Sequence, residues 1–372
     1  MRTRFVVMLI HLAVASQLLG DEGSVFSYAD ISISRRLNLR PQSRVVSDTE
    51  AAGNELLAEL RKANARIVTN ETSAIVEIQF SELDTNALSD GAIREFRKLT
   101  SLRCLSIRAP QLIRQLLPEL SSLPMLEELS LCTRRLSSDM IQSLNKAPAL
   151  SRLRFEDLRL DRDAATAIAQ LAHLNSLHFD GCSFPVGIDA AFVAIPRLKS
   201  LWISGGLNDG PHKLKGLESL PGLQCLWIDS IWCNQEAMQR IGGLTQLEEL
   251  SLQYVGLNDQ MLQELRSLTK MRRVLLGNAT DFTGDGLRYL GDWRALEELS
   301  VFSTSFEDDA ARTLEQFPSL KKFVAHDTFL TDTSVDSLMK LEKLKLAWIS
   351  KTKISPAGIE QLKNRLPECQ VR

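Results

Sequence analysis

The sequence carries no excess of charge of either sign. Its 372 residues include 44 lysines and arginines and 46 aspartates and glutamates, a formal net charge of −2. Binding to nucleic acid requires a basic surface, so this balance predicts no nucleic-acid partner. The composition is otherwise that of an ordinary folded protein, with 44% hydrophobic and 24% charged residues.

Cysteine and histidine are scarce, and neither is clustered. The six cysteines and five histidines include no close group with the spacing of zinc ligands. The glycine pairs Gly205-Gly206 and Gly242-Gly243 are not followed by the Lys-Ser/Thr of a phosphate-binding loop, so we interpret both as turns. The sequence thus predicts no metal and no cofactor.

Long apolar runs are absent except near the N-terminus. Arg2 and Arg4 precede the apolar stretch Phe5 to Ala15, which only His11 interrupts. This order is typical of a secretory signal peptide, and the run is too short for a membrane anchor, which needs about 20 apolar residues. We therefore predict that residues 1–20 are a signal and that the protein is exported, with no membrane span after signal removal.

One apolar pattern recurs along most of the chain. It has the form L-x-x-L-x-L, with Ile, Val, Phe, Met, Ala or Cys as substitutes, and its thirteen copies lie 22 to 27 residues apart, mostly 24 or 25. The copies begin at Ile75, Leu102, Leu126, Leu150, Leu174, Leu198, Leu223, Leu247, Met271, Leu296, Leu320, Leu344 and Leu366. The alternation within each copy predicts a short strand with one buried face. Units this small bury their apolar faces only by stacking on neighbours, so the strands should form a parallel sheet.

The second half of each repeat predicts a short helix. A residue suited to cap a helix is followed by apolar residues four and seven positions later, as in Ser137, Ile141 and Leu144. The cap position is occupied in nine repeats by Ser89, Ser137, Asp161, Asn234, Asn258, Thr283, Glu307, Thr331 and Ser355. The repeats that begin at Leu174 and Leu198 depart from this rule, which indicates irregular loops there.

The ends of the array differ from its middle. Ser47 to Glu50 resembles a capping box that opens a helix over Ala51 to Ala63, and Arg66 to Val68 could pair with the first repeat strand. We predict a spacer at 21–46, an N-terminal helix and cap at 47–74, repeats at 75–365 and a closing strand at 366–372. The signal could be cleaved before Ser16 or before Asp21.

The pattern with its capped helix resembles the leucine-rich repeat, and the resemblance covers about 300 residues. Most such repeats place Asn or Cys three residues after the second strand leucine, whereas only Cys182 does so here. The helical half of the repeat, clearest at Thr331-Asp332, instead resembles that of the ribonuclease-inhibitor-like class and of exported bacterial proteins with 24-residue repeats. The resemblance implies an α/β solenoid with a curved parallel sheet inside and helices outside. It also implies protein or ligand binding without an enzyme reaction.

The inner face of the predicted sheet holds the candidate binding residues. The position between the two strand leucines, expected to be exposed, is mostly small and polar, but four consecutive strands place Arg154, His178, Trp202 and Trp227 there. We call these four residues the central row, about 15 Å long at strand spacing. Carboxylates lie two positions further along three strands, at Glu156, Asp180 and Asp229, and Trp232 and Tyr254 lie where strands end.

Two interpretations of the central row remain open at this stage. Neighbouring tryptophans can stiffen a sheet by stacking, worth about 0.5 to 1.5 kcal/mol. A large aromatic patch beside irregular loops is instead a candidate recognition site. We therefore predict ligand binding at Arg154, His178, Asp180, Trp202, Trp227, Asp229 and Tyr254. Aromatic faces with carboxylates suit a protein or peptide that bears Arg or Lys, or a carbohydrate.

Other functions have weaker support. His178, Asp180 and Ser204 are the residue types of a nucleophilic triad, but parallel side chains on one strand stand about 7 Å apart, too far for the hydrogen bond that orients a catalytic imidazole. A substrate adaptor of a ubiquitin-ligase-like complex would need a helical docking module before the repeats and would not carry a signal peptide. A purely structural role predicts no specific partner.

Overall fold

The computed structural model describes residues 54–80, 88–171, 173–183, 195–205 and 214–372. Across these ranges fourteen strands form one sheet in strict chain order. The strands are β1 Arg66–Thr69, β2 Ile75–Phe80, β3 Cys104–Ile107, β4 Glu128–Cys132, β5 Arg152–Glu156, β6 Ser176–Asp180, β7 Ser200–Ser204, β8 Cys225–Asp229, β9 Glu249–Gln253, β10 Arg273–Gly277, β11 Glu298–Ser300, β12 Lys322–Val324, β13 Leu346–Trp348 and β14 Gln370–Val371. The fold is the predicted leucine-rich-repeat solenoid. The signal, the spacer and the capping box at residues 47–50 lie outside the described residues.

The register of the sheet follows the leucine pattern. Each repeat strand from β2 to β14 pairs in parallel with the next, so equivalent positions stand side by side, as Leu250 does with Leu226 and Val274. The strand β1 runs antiparallel to β2, pairing Arg66 with Gln79, which confirms the predicted pairing at this end. Within the described ranges, no helix has the length and apolar character of a membrane span.

The outer layer mixes α-helices with tighter 3₁₀ segments, whereas the sequence predicted α-helices throughout. The α-helices are α1 Asn54–Lys62, α2 Asp90–Phe96, α3 Pro110–Leu116, α4 Ser138–Ser143, α5 Arg162–Ala169, α6 Gln235–Gly242, α7 Asp308–Thr313, α8 Val335–Met339 and α9 Pro356–Arg365. The 3₁₀ segments are Leu117–Ser122, Leu144–Lys146, Leu217–Ser219, Asp259–Leu265, Asp285–Leu290, Leu314–Gln316 and Asp332–Ser334. Each repeat spans too few residues for a long helix, and 3₁₀ turns are common in such short pieces.

The two layers enclose one continuous apolar core. The pattern leucines, such as Leu247, Leu250 and Leu252, are fully buried. Trp293 fills the place of the leucine that ends the outer segment in other repeats, and it too is fully buried. All six cysteines are free thiols, so the solenoid is held by packing and hydrogen bonds.

Most of the predicted helix caps make a capping hydrogen bond, and two do not. Ser89, Ser137, Asp161, Asn234, Asn258, Thr331 and Ser355 each accept a hydrogen bond from a backbone N–H in the turn that follows. The cap predicted at Thr283 is wrong, whereas Glu307 does occupy the predicted N-cap position. Gly284, with φ 95°, begins the segment after Thr283, and Glu307 makes no capping hydrogen bond.

Aspartates of one repeat bind the turn that opens the outer segment of the next. The Asp259 carboxylate accepts hydrogen bonds from the Thr283 N–H and hydroxyl, both at 2.9 Å, and from the N–H groups of Gly284 at 3.0 Å and Gly286 at 2.8 Å. Asp308 accepts two from Thr331. Asp332 accepts one, from the Ser355 N–H at 2.7 Å. The Asp259 carboxylate thus replaces the missing Thr283 cap.

Removing these carboxylates is expected to destabilise the fold in proportion to the bonds lost. Asp259→Ala should lower the free energy of unfolding by about 2 to 3 kcal/mol, because it leaves several N–H groups without their charged acceptor. Asp332→Ala, which loses one bond, should cost about 1 kcal/mol. Urea unfolding of the two variants measures the difference, and equal losses would contradict this role for Asp259.

Candidate functional site

The central row forms as predicted. Arg154 pairs in register with His178, His178 with Trp202, and Trp202 with Trp227. The His178 and Trp202 ring centroids lie 4.4 Å apart and those of Trp202 and Trp227 lie 4.3 Å apart. Because the strands hold these side chains at about the stacking distance, the rings form a column that follows the sheet.

The column is more buried than the sequence predicted. His178 is 8% exposed and Trp202 is 9% exposed. Other positions of the inner face that were expected to be exposed are buried too, namely Ser130, Ser251, Leu275, Ser300, Val324 and Trp348. Each side chain is flanked by neighbours on two strands about 4.8 Å away, and stacked rings cover each other's faces. Trp202 is therefore an internal member of the stack, while Trp227 is half-buried.

Trp348 occupies the inner-face position of β13, which was expected to be exposed, and the structure contradicts this. It is buried, and its indole N–H donates to the Ser350 hydroxyl at 2.5 Å. His326 Nδ1 lies 2.7 Å from the same hydroxyl. This second cluster is a compact packing unit on the later repeats, separate from the central row.

One end of the central row is occupied by a chain of ion pairs. Arg154 pairs with Glu156 at 2.9 Å and with Asp180 at 2.6 Å, and Arg108 pairs with Glu156 at 2.6 Å. The two arginines balance the two carboxylates. Two of the three carboxylates predicted beside the row are thus neutralised by the protein itself.

The third carboxylate, Asp229, is in a different setting. It is 8% exposed, and the Ser230 hydroxyl donates a hydrogen bond to it at 2.9 Å. Its neighbours in register, Ser204 and Gln253, are uncharged. Burial raises the pKa of Asp229 to about 6, and the Asp180 charge adds to the increase. A carboxylate with this pKa ionises at neutral pH only at a cost in free energy.

Exposed aromatic side chains follow the end of β8, which carries Asp229, and the end of the next strand, β9. Trp232 is 58% exposed and Tyr254 is 44% exposed. The Trp232 ring lies against Gly256, where an added Cβ would come within 2.9 Å of it. Burial and the Asp229 charge raise the pKa of Tyr254, which places its phenol near that carboxylate. We call Trp227, Trp232 and Tyr254 the exit patch, because two of the three follow the ends of β8 and β9.

The backbone at Tyr254 supports a special role for this residue. The residue three places after the inner-face position is left-handed in nine successive repeats, at Asp157, Gly181, Gly205, Ser230, Tyr254, Asn278, Ser303, Asp327 and Lys351. Most of these are glycine or short polar residues, which adopt this region most readily. Tyr254 has φ 51°, at a strain cost of about 1 kcal/mol. Tyr254 therefore occupies a position that a smaller residue would adopt with less strain.

A feature that the sequence alone did not reveal lies beside the central row, on the side of the strand starts. The residue two places before the inner-face position is charged on β4, β5 and β9 to β12, and many of these charges pair across strands, as Arg152 does with Glu128 at 2.9 Å. On β6, β7 and β8 it is Ser176, Ser200 and Cys225. Small uncharged residues thus leave more room beside the row on these strands. Aligning the repeats by their leucine pattern shows this run of uncharged residues in the sequence itself.

The triad residues do not form a catalytic arrangement. His178 stacks on Trp202, and no hydrogen bond joins it to Asp180 or Ser204 among the described contacts. Burial and the Arg154 charge lower the pKa of His178 to about 2, so its imidazole is neutral. Asp180 pairs with Arg154, and Ser204 is buried.

Neither metal ligation nor the predicted irregular loops can be assigned to the candidate site from the described residues. No group of three or more His, Cys, Asp or Glu residues with metal-binding geometry occurs among the described residues. The loops predicted in the repeats of Leu174 and Leu198 fall largely at 184–194 and 206–213, outside the described residues. The candidate site therefore consists of the central row, Asp229 and the exit patch.

No protein-family model and no curated protein sequence matches this chain. Among solved structures it is similar to an internalin from Listeria monocytogenes, with 14% identity over 85% of this chain and 92% of that chain and a TM-score of 0.44. It is also similar to a leucine-rich-repeat protein from Leptospira interrogans, with 15% identity, 83% and 94% coverage and a TM-score of 0.40. A chain of the yeast Rad7 and Elc1 complex has 18% identity, 68% and 72% coverage and a TM-score of 0.49. These similarities are distant, and the assignment of a leucine-rich-repeat solenoid rests on the chain's own repeats and sheet.

Proposed function

We propose that this protein is a non-catalytic binding module that recognises a protein or peptide on the inner face of its sheet. The observation that carries the proposal is the exposure of Trp232 and Tyr254 just beyond the ends of β8 and β9, with the buried carboxylate of Asp229 at the end of β8. Aromatic residues in such settings contribute strongly to protein interfaces. Export rests on the signal pattern of residues 1–20, and the ribonuclease-inhibitor-like subclass rests on the repeat pattern.

The stacked column favours a protein partner over a carbohydrate. A sugar binds tryptophan by lying flat on its ring, and the two faces of Trp202 are covered by His178 and Trp227. The exposed side chains are at the strand ends instead. Of the seven residues predicted to bind, we therefore assign direct contact to Trp227, Asp229 and Tyr254, and a supporting role to the others.

Removing the exit patch is expected to abolish partner capture. Trp232→Ser combined with Tyr254→Ser should weaken binding at least roughly thirtyfold, the effect of losing one interface hot spot. Immobilised wild-type and variant proteins are exposed to an extract of the source organism, and retained proteins are identified by mass spectrometry. The expected result is a partner that the double variant loses.

Phe329 provides the matched control. It is 49% exposed and occupies in its own repeat the place that Trp232 occupies, five residues after the inner-face position. Phe329→Ser should retain the same partner as the wild type. Equal capture by the folded double variant would remove the proposal. Trp202→Ser is not a suitable probe, because emptying a buried stack destabilises the fold by about 3 to 5 kcal/mol.

A further inference from the structure

We infer, on the basis of the proposed function, that the exit patch and Asp229 together bind a cationic side chain of the partner, an arginine guanidinium. The carboxylate would supply the ion pair and the exposed rings would supply the surface on which the planar cation lies. The recognised group is thus an arginine side chain, whatever the fold of the partner.

The charge balance around Asp229 is the first argument. Arg108, Arg154, Glu156 and Asp180 form a chain whose charges cancel. Asp229 takes part in none of the ion pairs between described residues, and its register neighbours Ser204 and Gln253 are uncharged. A buried carboxylate without a cation gains more from a charged ligand than an exposed one does, because water screens it less.

The aromatic surroundings are the second argument. Cations are attracted to the faces of Trp and Tyr rings, and the phenol of Tyr254 is close enough to Asp229 for the carboxylate charge to raise its pKa. The ring of Trp232 is seated on Gly256, where any side chain would collide with it. A guanidinium is planar, stacks on aromatic rings and pairs with a carboxylate through two N–H groups, whereas an ammonium offers only a point charge.

The shape of the site is the third argument. At the strand starts, Ser176, Ser200 and Cys225 are uncharged where neighbouring strands carry ion pairs. The Cys225 thiol donates a hydrogen bond to Glu249 at 3.8 Å. A side chain of the partner can therefore lie across β7 and β8 without breaking an existing ion pair. A site that must first break an internal ion pair would bind more weakly.

The inference predicts pH-dependent binding. The titratable and charged groups that face Asp229 are Asp180 and the Tyr254 phenol, and its register partners are uncharged. His178 stays neutral because its pKa is about 2. A cation binds the ionised carboxylate, and with a pKa of about 6 for Asp229 roughly nine-tenths of it is protonated at pH 5. Affinity should therefore fall about tenfold between pH 7 and pH 5.

The test uses two peptides that differ only in charge. Acetyl-Ala-Arg-Ala-amide is compared with the same peptide containing citrulline, in which a neutral urea replaces the guanidinium. Each is titrated into full-length protein labelled with ¹⁵N-tryptophan, and the indole N–H signals of the five tryptophans are followed by NMR. We expect the arginine peptide to shift the Trp227 and Trp232 signals and the citrulline peptide to bind at least roughly tenfold more weakly.

Two variants complete the experiment. Asp229→Asn keeps the size of the side chain and should reduce binding of the arginine peptide to the citrulline level and remove its pH dependence. Asp285→Asn changes the same charge at an exposed position of the outer layer and should leave binding unchanged. Thermal melts confirm that both variants fold, and the citrulline comparison on wild-type protein does not depend on any variant.

The outcomes separate this inference from the proposed function. Equal binding of the two peptides, unchanged binding by Asp229→Asn, or no shift up to the solubility limit of the arginine peptide would each overturn it. If the natural partner is lost by the Trp232→Ser, Tyr254→Ser variant but kept by Asp229→Asn, the binding module stands and the arginine assignment fails. If both variants keep the partner, both proposals fail.

Discussion

Gly286→Ala is expected to lower the free energy of unfolding by about 3 kcal/mol. A Cβ added at Gly286 would lie 2.3 Å from the backbone oxygen of Asp259 and 2.9 Å from its carbonyl carbon. The obstacle is backbone, so one repeat would have to move away from its neighbour, and overpacking of this kind costs about 1 to 3 kcal/mol or more. Gly242→Ala should behave alike, because its Cβ would lie 2.0 Å from the Glu264 oxygen. Urea unfolding followed by circular dichroism measures both losses.

Gly291→Ala is the matched control for these substitutions. It is also a glycine of the outer layer, but the nearest atom to its added Cβ is the end of the Gln316 side chain, at 3.4 Å. That side chain can rotate, so the change should stay within about 0.5 kcal/mol of the wild type. If all three alanine variants unfold at the same urea concentration, close backbone approach is not what keeps glycine at positions 242 and 286.

His178→Phe is expected to make the protein more resistant to acid. The folded protein holds the His178 pKa at about 2, whereas an unfolded histidine titrates near pH 6.5. Below pH 6.5 the unfolded chain takes up a proton that the folded protein refuses, so this residue removes stability as the pH falls, by about 1.4 kcal/mol per unit. Phenylalanine keeps an aromatic ring next to Trp202 and does not titrate. At pH 4.5 the variant should exceed the wild type by about 2 to 3 kcal/mol more than it does at pH 7.5.

Asp229 has the opposite effect on how the free energy of unfolding of the wild-type protein depends on pH. Its folded pKa of about 6 lies above the unfolded value near 3.9, so its charge costs stability above pH 6 and the cost disappears as the pH falls toward 4. The losses from His178 and the gains from Asp229 therefore nearly cancel between pH 6 and pH 4. The difference between His178→Phe and wild type isolates the histidine, and a difference that does not change with pH would show that His178 is not held neutral.

The sequence was sufficient to predict the fold because one pattern controls it. The spacing of leucines such as Leu226 and Leu250 determined which residues lie side by side, and the parallel register confirmed that alignment. The form of the outer segments was not predictable in the same way. The 3₁₀ segment Asp259–Leu265 is packed closely by Gly242 and Gly286 of the adjacent repeats, and a pattern within one repeat does not contain those contacts.

The sequence predicted where the residues of the candidate site lie but not how exposed they are. Alternation placed His178 and Trp202 on the inner face, yet it could not show that stacking at strand spacing would bury them. Asp180 and Asp229 looked equivalent in the sequence. They differ because Asp180 meets Arg154 across the strands, while the register neighbours of Asp229 are the uncharged Ser204 and Gln253. The charge state of the site is therefore a property of neighbouring repeats, not of one repeat.

The aspartate bonds that cross between repeats have a consequence for how such a chain can grow or be rearranged. Asp259 lies in the repeat that begins at Leu247, but it organises the turn at Thr283 and Gly284 of the next one. A change that removes or displaces one of these two repeats would therefore separate the acid from the turn that it organises.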